Sequence, residues 1–467
     1  KWVVGSNNIT LGKTAGQTLQ GSNAIAIGSS SGYYSQGSNS IAIGNSSGQT
    51  AQGSDTVAIG NKAGQTNQQN NTIAIGFEAG NMFQNTASIA IGYQAGHTTQ
   101  GIDSVAIGDQ AGYAKQGTIA IAIGVSAGKN SQCSNSISIG SESASDNQGQ
   151  YNISIGYQAG QTYQGTNSTS GSCSIAIGNQ SGQSTQGINS IALGYQAGQN
   201  TQGDYTVSIG FQAGQNTQGQ NAIAIGYKTG LENQGIESIA IGNEAGSNNQ
   251  SSYAIGIGFQ AGQYIQDQNS IAIGNQAGQI TQQTNSIGSG VEAGKGYQGR
   301  DSITIGTFSG QNSQERDCIS IGNEAAKYSQ KQYSIAIGYQ AGNQDQQTGS
   351  IAIGKGSGNV SQGLASIGIG YQSAMNNQGI GSISLGSRSA ENNQGSFSIA
   401  LGFLSGQNNQ GSGATQGTST IAIGNIAGST GQYASAIAIG DQAGQLTQNT
   451  GCIAIGFQAG QNGQGPG

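Results

Sequence analysis

The stretch Asn39-Ser40-Ile41-Ala42-Ile43-Gly44 decides the fold. Small and aliphatic residues alternate through it, which is the two-residue period of a β-strand. Its core recurs as Val57-Ala58-Ile59-Gly60, Ile73-Ala74-Ile75-Gly76 and Ile89-Ala90-Ile91-Gly92, each copy 16 residues after the last. From Ile9 to Ile453 the motif occurs in 28 copies, and its register slips only before Ile175 and before Ile421, by six inserted residues each time. An interval this regular points to stacked repeats rather than to a string of globular domains.

With the first aliphatic residue of each copy as position one, the columns are strict. Position one is Ile or Val, position three is Ile or Leu except at Ser289, and position four is always Gly. Position seven is Ala, Ser or Thr, position eight is Gly or Ala, and position twelve is Gln in every copy. Sixteen residues hold two short strands and two turns, whereas a helix would carry its glycines at a cost of roughly 1 kcal/mol each. The expected fold is all-β: a parallel β-solenoid, or β-roll, of about 28 coils with 16 residues per coil and no helices. Coils stacked about 4.8 Å apart would extend for roughly 130 Å. Residues 1–8 read as a partial coil or junction and 9–467 as one continuous solenoid, with the six-residue corner insertions within 165–174 and 411–420.

The alternation also sorts side chains by face. Positions one and three share a face, and stacked aliphatic residues such as Ile41 and Ile43 are expected to line the interior, with Gly44 turning the corner. The glutamines, among them Gln20, Gln36, Gln52, Gln164, Gln330 and Gln464, are expected to point inward and to bond amide to amide from coil to coil. A surface glutamine would have drifted to Lys, Glu or Ser somewhere in 28 copies. Position two holds only Ala, Ser, Thr or Gly, and the residue before position one is mostly small as well. Read as an outward face, this flat column (Ala42, Ala58, Ala74, with Cys318 and Cys452 beside it) is expected to meet the same face of another copy in a dimer or trimer. Position five mixes Phe77, Tyr93, Tyr195, Phe211 and Tyr227 with polar residues, as a partly exposed corner would. Asn167 and Thr415, in the two insertions, are candidates for exposed loops.

Composition narrows the function classes. Glycine supplies 84 of 467 residues, proline one, and the net charge is -6. Collagen needs far more proline and a three-residue period. A weakly acidic chain has no electrostatic reason to bind nucleic acid, and no run of about 20 apolar residues could insert in a membrane. His97 is the only histidine, so neither a histidine metal cluster nor a histidine-based triad can be built. No aspartate column recurs, which excludes the calcium-binding solenoid repeat. No catalytic residue, metal site or cofactor is expected. The cysteines Cys133, Cys173, Cys318 and Cys452 occupy non-adjacent coils, beyond disulfide reach of one another.

The repeated Asn-Ser-Ile-Ala-Ile-Gly, as at Asn39–Gly44 and Asn269–Gly274, resembles the head repeats of trimeric autotransporter adhesins of the YadA type, and similar repeats of phage and giant-virus fibres. The resemblance implies a left-handed parallel β-roll, three associated chains and a head that binds host matrix or cells. It also implies Ile columns lining each roll and Ala/Ser positions near chain–chain contacts. The family repeat is usually nearer fourteen residues, and a glutamine column is not its hallmark.

Together these observations give a structural protein: a rigid fibre or filament, extracellular, on a cell surface or on a virion. Its principal partner is itself, as a dimer, trimer or end-to-end polymer. An adhesin or receptor-binding head, with a glycan or cell-surface ligand, is the alternative. An ice-binding solenoid using the flat position-two face is a remote one. An enzyme is not expected.

Overall fold

A computed structural model of the protein describes residues 3–5, 7–165, 172–411 and 419–465. It is an all-β parallel solenoid of about 27 turns with about 16 residues per turn and no helices. The chain divides into two compact units, Lys1–Glu237 and Ser238–Gly467.

In the first unit, fourteen copies of the motif form three- or four-residue strands, from Asn8–Leu11 to Ile223–Ile225. Each pairs in parallel with the copy one repeat away and in exact sequence register: Ile41 faces Val57, Ala42 faces Ala58 and Ile43 faces Ile59. Short second strands such as Thr50–Gln52 and Thr66–Gln68 end on the position-twelve glutamines, which also pair with one another. The second unit repeats the plan with fourteen strands from Ile239–Ile241 to Ile453–Ile455. The first insertion is absorbed without loss of register, since Ile153 pairs with Ile175. In the second unit Ile399 pairs with Ile421 across the other insertion. Asn167 and Thr415 lie outside the described residues. Val3–Gly5 runs antiparallel to Asn8–Leu11, so one edge of the first unit's sheet is covered by a strand of opposite sense.

The invariant glycine has two independent reasons. Gly44 has φ 132°, a region closed to other residues, and a Cβ there would run into the carbonyl of Gly60 in the next coil. Coils therefore approach at position four more closely than any side chain allows. Position fifteen also turns with positive φ, 58° at Asn39 and 59° at Asp55. Asn and Asp tolerate that conformation better than most residues.

The interior corrects one expectation. Ala42, Ala58 and Ala74 are completely buried within a single chain, and Ser40 before the strand is buried with them. The aliphatic positions on either side are only partly covered, with the strand pattern intermediate–buried–intermediate. Thus the small residues line the coil and Ile41 and Ile43 face out. The reason is space. The interior of a 16-residue coil is filled by alanine methyls, hydroxyls and one glutamine per turn: a Cβ on Gly80 would lie 2.6 Å from Gln84 Oε1 and 3.3 Å from the Ala74 methyl. Nothing as wide as isoleucine fits there. The cluster Ala58, Ala63, Ala74, Ala79, Ala90 and Ala95 is a typical stretch of this core.

Candidate self-association face

Because successive side chains alternate across a strand, burial of position two forces positions one and three outward. Parallel, in-register pairing then sets each Ile or Val beside the next, one coil away. The outcome in each unit is a continuous aliphatic stripe of fourteen coils, roughly 60 Å long at about 4.8 Å per coil. No residue in these two columns is charged. Away from the terminal coils, exposure reaches 41% at Leu193 and Ile305 and 42% at Ile273. Water-facing aliphatic surface of this extent is rare on a soluble monomer and marks a contact with another surface.

Position five borders the stripe. Its aromatic residues are exposed and stack along the coils: Phe77 on Tyr93 at 5.2 Å, Tyr195 on Phe211 at 5.0 Å, and Phe211 on Tyr227 at 5.3 Å between ring centroids. In the second unit the Lys355 ammonium sits over the rings of Tyr339 and Tyr371, 5.7 and 5.9 Å from their centroids. Such contacts between cation and ring hold the border side chains in place.

The residues singled out from sequence fall as follows. Gln36, Gln52, Gln164 and Gln330 are buried, at 3% exposure or less. Gln20 and Gln464, in the terminal coils, are half-buried. Amides stack at some of these coils: Gln20 Nε2 donates to Gln36 Oε1 at 3.0 Å, Gln148 to Gln164 at 3.1 Å and Gln314 to Gln330 at 2.9 Å, whereas Gln52 Oε1 has no partner among the described residues. A second bond was not anticipated. Gln52 Nε2 donates to the Ile41 carbonyl of its own coil at 3.0 Å, Gln164 to Ile153 at 3.1 Å and Gln330 to Ile319 at 3.0 Å. Glutamine fits where asparagine would not, because its longer arm must cross the coil to reach that carbonyl.

Ala42, Ala58 and Ala74 are not a contact face for another chain, since their own coil buries them. Cys318 and Cys452 are interior too, at 0% and 8% exposure, and all four cysteines are free thiols. Cys318 Sγ donates to the Lys331 carbonyl at 3.0 Å, where serine hydroxyls bond in other coils. Burial pushes the Cys318 and Cys133 thiols up from their ordinary pKa. The flat face considered for ice is this same interior column and meets no solvent.

Sequence reading missed the column at position six. Gln212 donates to Gln196 at 2.9 Å, Gln196 to Gln180 at 2.9 Å, Gln180 to Gln158 at 3.0 Å and Gln158 to Glu142 at 2.8 Å. The signal was present in the recurring Gln-Ala-Gly of Gln196–Gly198 and Gln212–Gly214. Each glutamate in the column accepts from a glutamine of the next coil. Glu78 accepts from Gln94 at 2.9 Å and from Lys62 at 3.0 Å, with His97 Nε2 at 3.5 Å, and its carboxyl titrates below the ordinary value, mainly because of the Gln94 bond. Glu324 is lowered likewise by Gln340 first and then by Lys327.

Residues 186–213 match the YadA head domain repeat, in two copies. These copies contain Ile191-Ala192-Leu193-Gly194 and Val207-Ser208-Ile209-Gly210, the same columns found throughout the chain. The coils are similar to YadA head repeats. No curated protein matches the chain. The YadA-type motif therefore coincides with the strand whose small residues fill the coil and whose aliphatic residues form the exposed stripe.

Proposed function

We propose that this chain forms a homo-oligomeric, surface-exposed fibre of the adhesin-like kind, its copies joined along the aliphatic stripe. The stripe is the observation that carries the reading. It is uncharged, in register from coil to coil and partly exposed in the isolated chain. Burying it between copies would remove two aliphatic side chains per coil from water, at about 25 cal/mol for each Å² covered. The similarity to YadA head repeats favours three chains and a place on the cell surface.

A stack of short strands sharing one hydrogen-bonded lattice is stiff along its axis, because each coil contacts only its neighbours and each is held by both. Such a body suits a spacer that presents a binding region away from a surface. The test is the mass of the intact protein by multi-angle light scattering, with cross-sections from electron microscopy. Three times the 46.6 kDa chain mass is expected. A monomer that stays soluble at micromolar concentration with its stripe open to water overturns the reading.

A further inference from the structure

Two of the chain's three arginines, Arg300 and Arg316, sit 16 residues apart at the same corner of adjacent coils. With Gln283, Tyr297, Glu315 and Gln332 they line an open groove of about 210 Å³. No other coil carries a basic side chain at this position, so the groove breaks the pattern of the solenoid.

The polar groups of the groove are unequally used. Glu315 is engaged on both oxygens, by Lys331 Nζ at 3.0 Å and by the Gln332 backbone N–H at 3.2 Å. Arg316 is held: its Nε donates to Gln332 Oε1 at 3.1 Å, and its guanidinium lies 5.3 Å over the Tyr333 ring. The Arg300 guanidinium, with its side chain 56% exposed, has among the described residues only Asp301 as a charge partner, 3.9 Å from Nε. Gln283 Oε1 accepts the Arg300 backbone N–H at 3.1 Å, which leaves the Gln283 amide nitrogen without a partner among the described residues. The Tyr297 ring is 41% exposed beside them.

We infer that this groove binds one acidic sugar unit of an extended saccharide. A carboxylate takes the open guanidinium of Arg300 in a charge-assisted, two-pronged bond. The ring hydroxyls meet the Gln283 and Gln332 amides and the Glu315 carboxylate, and an apolar sugar face lies on Tyr297. The size selects the ligand. The groove is smaller than the roughly 300 Å³ at which pockets for whole small molecules begin, so it takes a single ring of a longer chain. One open guanidinium, with Arg316 held by Gln332 and Tyr333, suits a single carboxylate and not the closely spaced phosphates of a nucleic acid. All of these groups come from one chain, so the site stands independently of the self-association proposed above.

The experiment is saturation-transfer NMR on the intact protein with 3′-sialyllactose and a hyaluronan hexasaccharide, and with lactose as the neutral control. Transfer to the acidic sugars, with at least about ten-fold weaker binding of lactose, is expected. Arg300→Gln should abolish the difference between acidic and neutral sugars, and Tyr297→Ala should weaken both. Arg388→Gln, at the remaining arginine, should change nothing. Thermal melting of each variant separates loss of binding from loss of fold, and Arg300→Lys serves should the glutamine variant not fold. Absence of transfer to either acidic sugar, equal binding of lactose, or undiminished binding in a folded Arg300→Gln variant overturns the inference.

Discussion

Gln84 Nε2 lies 2.8 Å from the backbone carbonyl oxygen of Ile73 and donates to it across the interior of one coil. The same side chain accepts from Gln68 of the preceding coil at 3.2 Å. One residue thus closes its own coil and joins it to a neighbour, and from Gln36 to Gln464 the residue eleven positions further back supplies the carbonyl. The bond across the coil is the one shared along the column, since Oε1 of Gln52, Gln68 and Gln100 has no partner among the described residues, and it explains why glutamine alone occupies the column.

Replacing Gln84 by Leu keeps much of the volume and removes both bonds. The Ile73 carbonyl then loses that buried donor and Gln68 Nε2 keeps only the Val57 carbonyl, at 3.1 Å, a cost of about 1–3 kcal/mol in all. Because stability in a repeat array is largely local, the expected effect is faster hydrogen exchange in the coils around residues 68–100. Unchanged protection there would refute the role.

Gly44→Ala should be far more damaging than its size suggests. Left-handed strain of about 1–3 kcal/mol adds to the overlap with the Gly60 carbonyl. By contrast, Gly349 has φ 66° with open space around its missing side chain, and it occupies the column filled by Asn39 and Asn285. Gly349→Asn should be neutral or stabilise by up to about 1 kcal/mol, since it restricts the unfolded chain. Paired thermal melts of the two variants check both outcomes.

Charge placed on the stripe should separate association from folding. Ile273→Lys leaves the interior untouched, because the side chain is 42% exposed in the single chain. Light scattering should show loss of the oligomer while the β-sheet circular dichroism signal persists. An intact oligomer would move the contact face elsewhere.

The lowered carboxyls of Glu78 and Glu324 make part of the stability pH-dependent. A carboxyl that titrates lower in the folded chain than in the unfolded one contributes fully above its unfolded pKa. That contribution is lost as pH falls through the folded value. Melting temperature should therefore be flat near neutrality and decline below the ordinary carboxylate value of 4.5. Glu78→Gln should flatten part of that decline.

Cys318 should resist alkylation in the folded protein, being fully buried with its thiol pushed up by burial. The exposed Cys133 and Cys173 should react before it. Rapid labelling of Cys318 under native conditions would mean that its coil opens.

The repeat length, the strand after Asn39, the glycine corner and the inward glutamines were all legible from Asn39–Gly44 and its copies. They are local or periodic properties, and periodicity survives in sequence. The groove at Arg300 and Arg316 was not legible, because its members are 16 residues apart and meet only when coils stack. Nor was the bond from Gln52 to Ile41, which crosses a coil.

The sequence by itself determined that Ile41 and Ile43 share one face and Ala42 takes the other, because a strand alternates whatever surrounds it. Only the tertiary structure decided which face is inside. A 16-residue coil is too narrow to enclose isoleucine, so the interior went to alanine, serine and glutamine, and the aliphatic residues were left outside for another surface to cover.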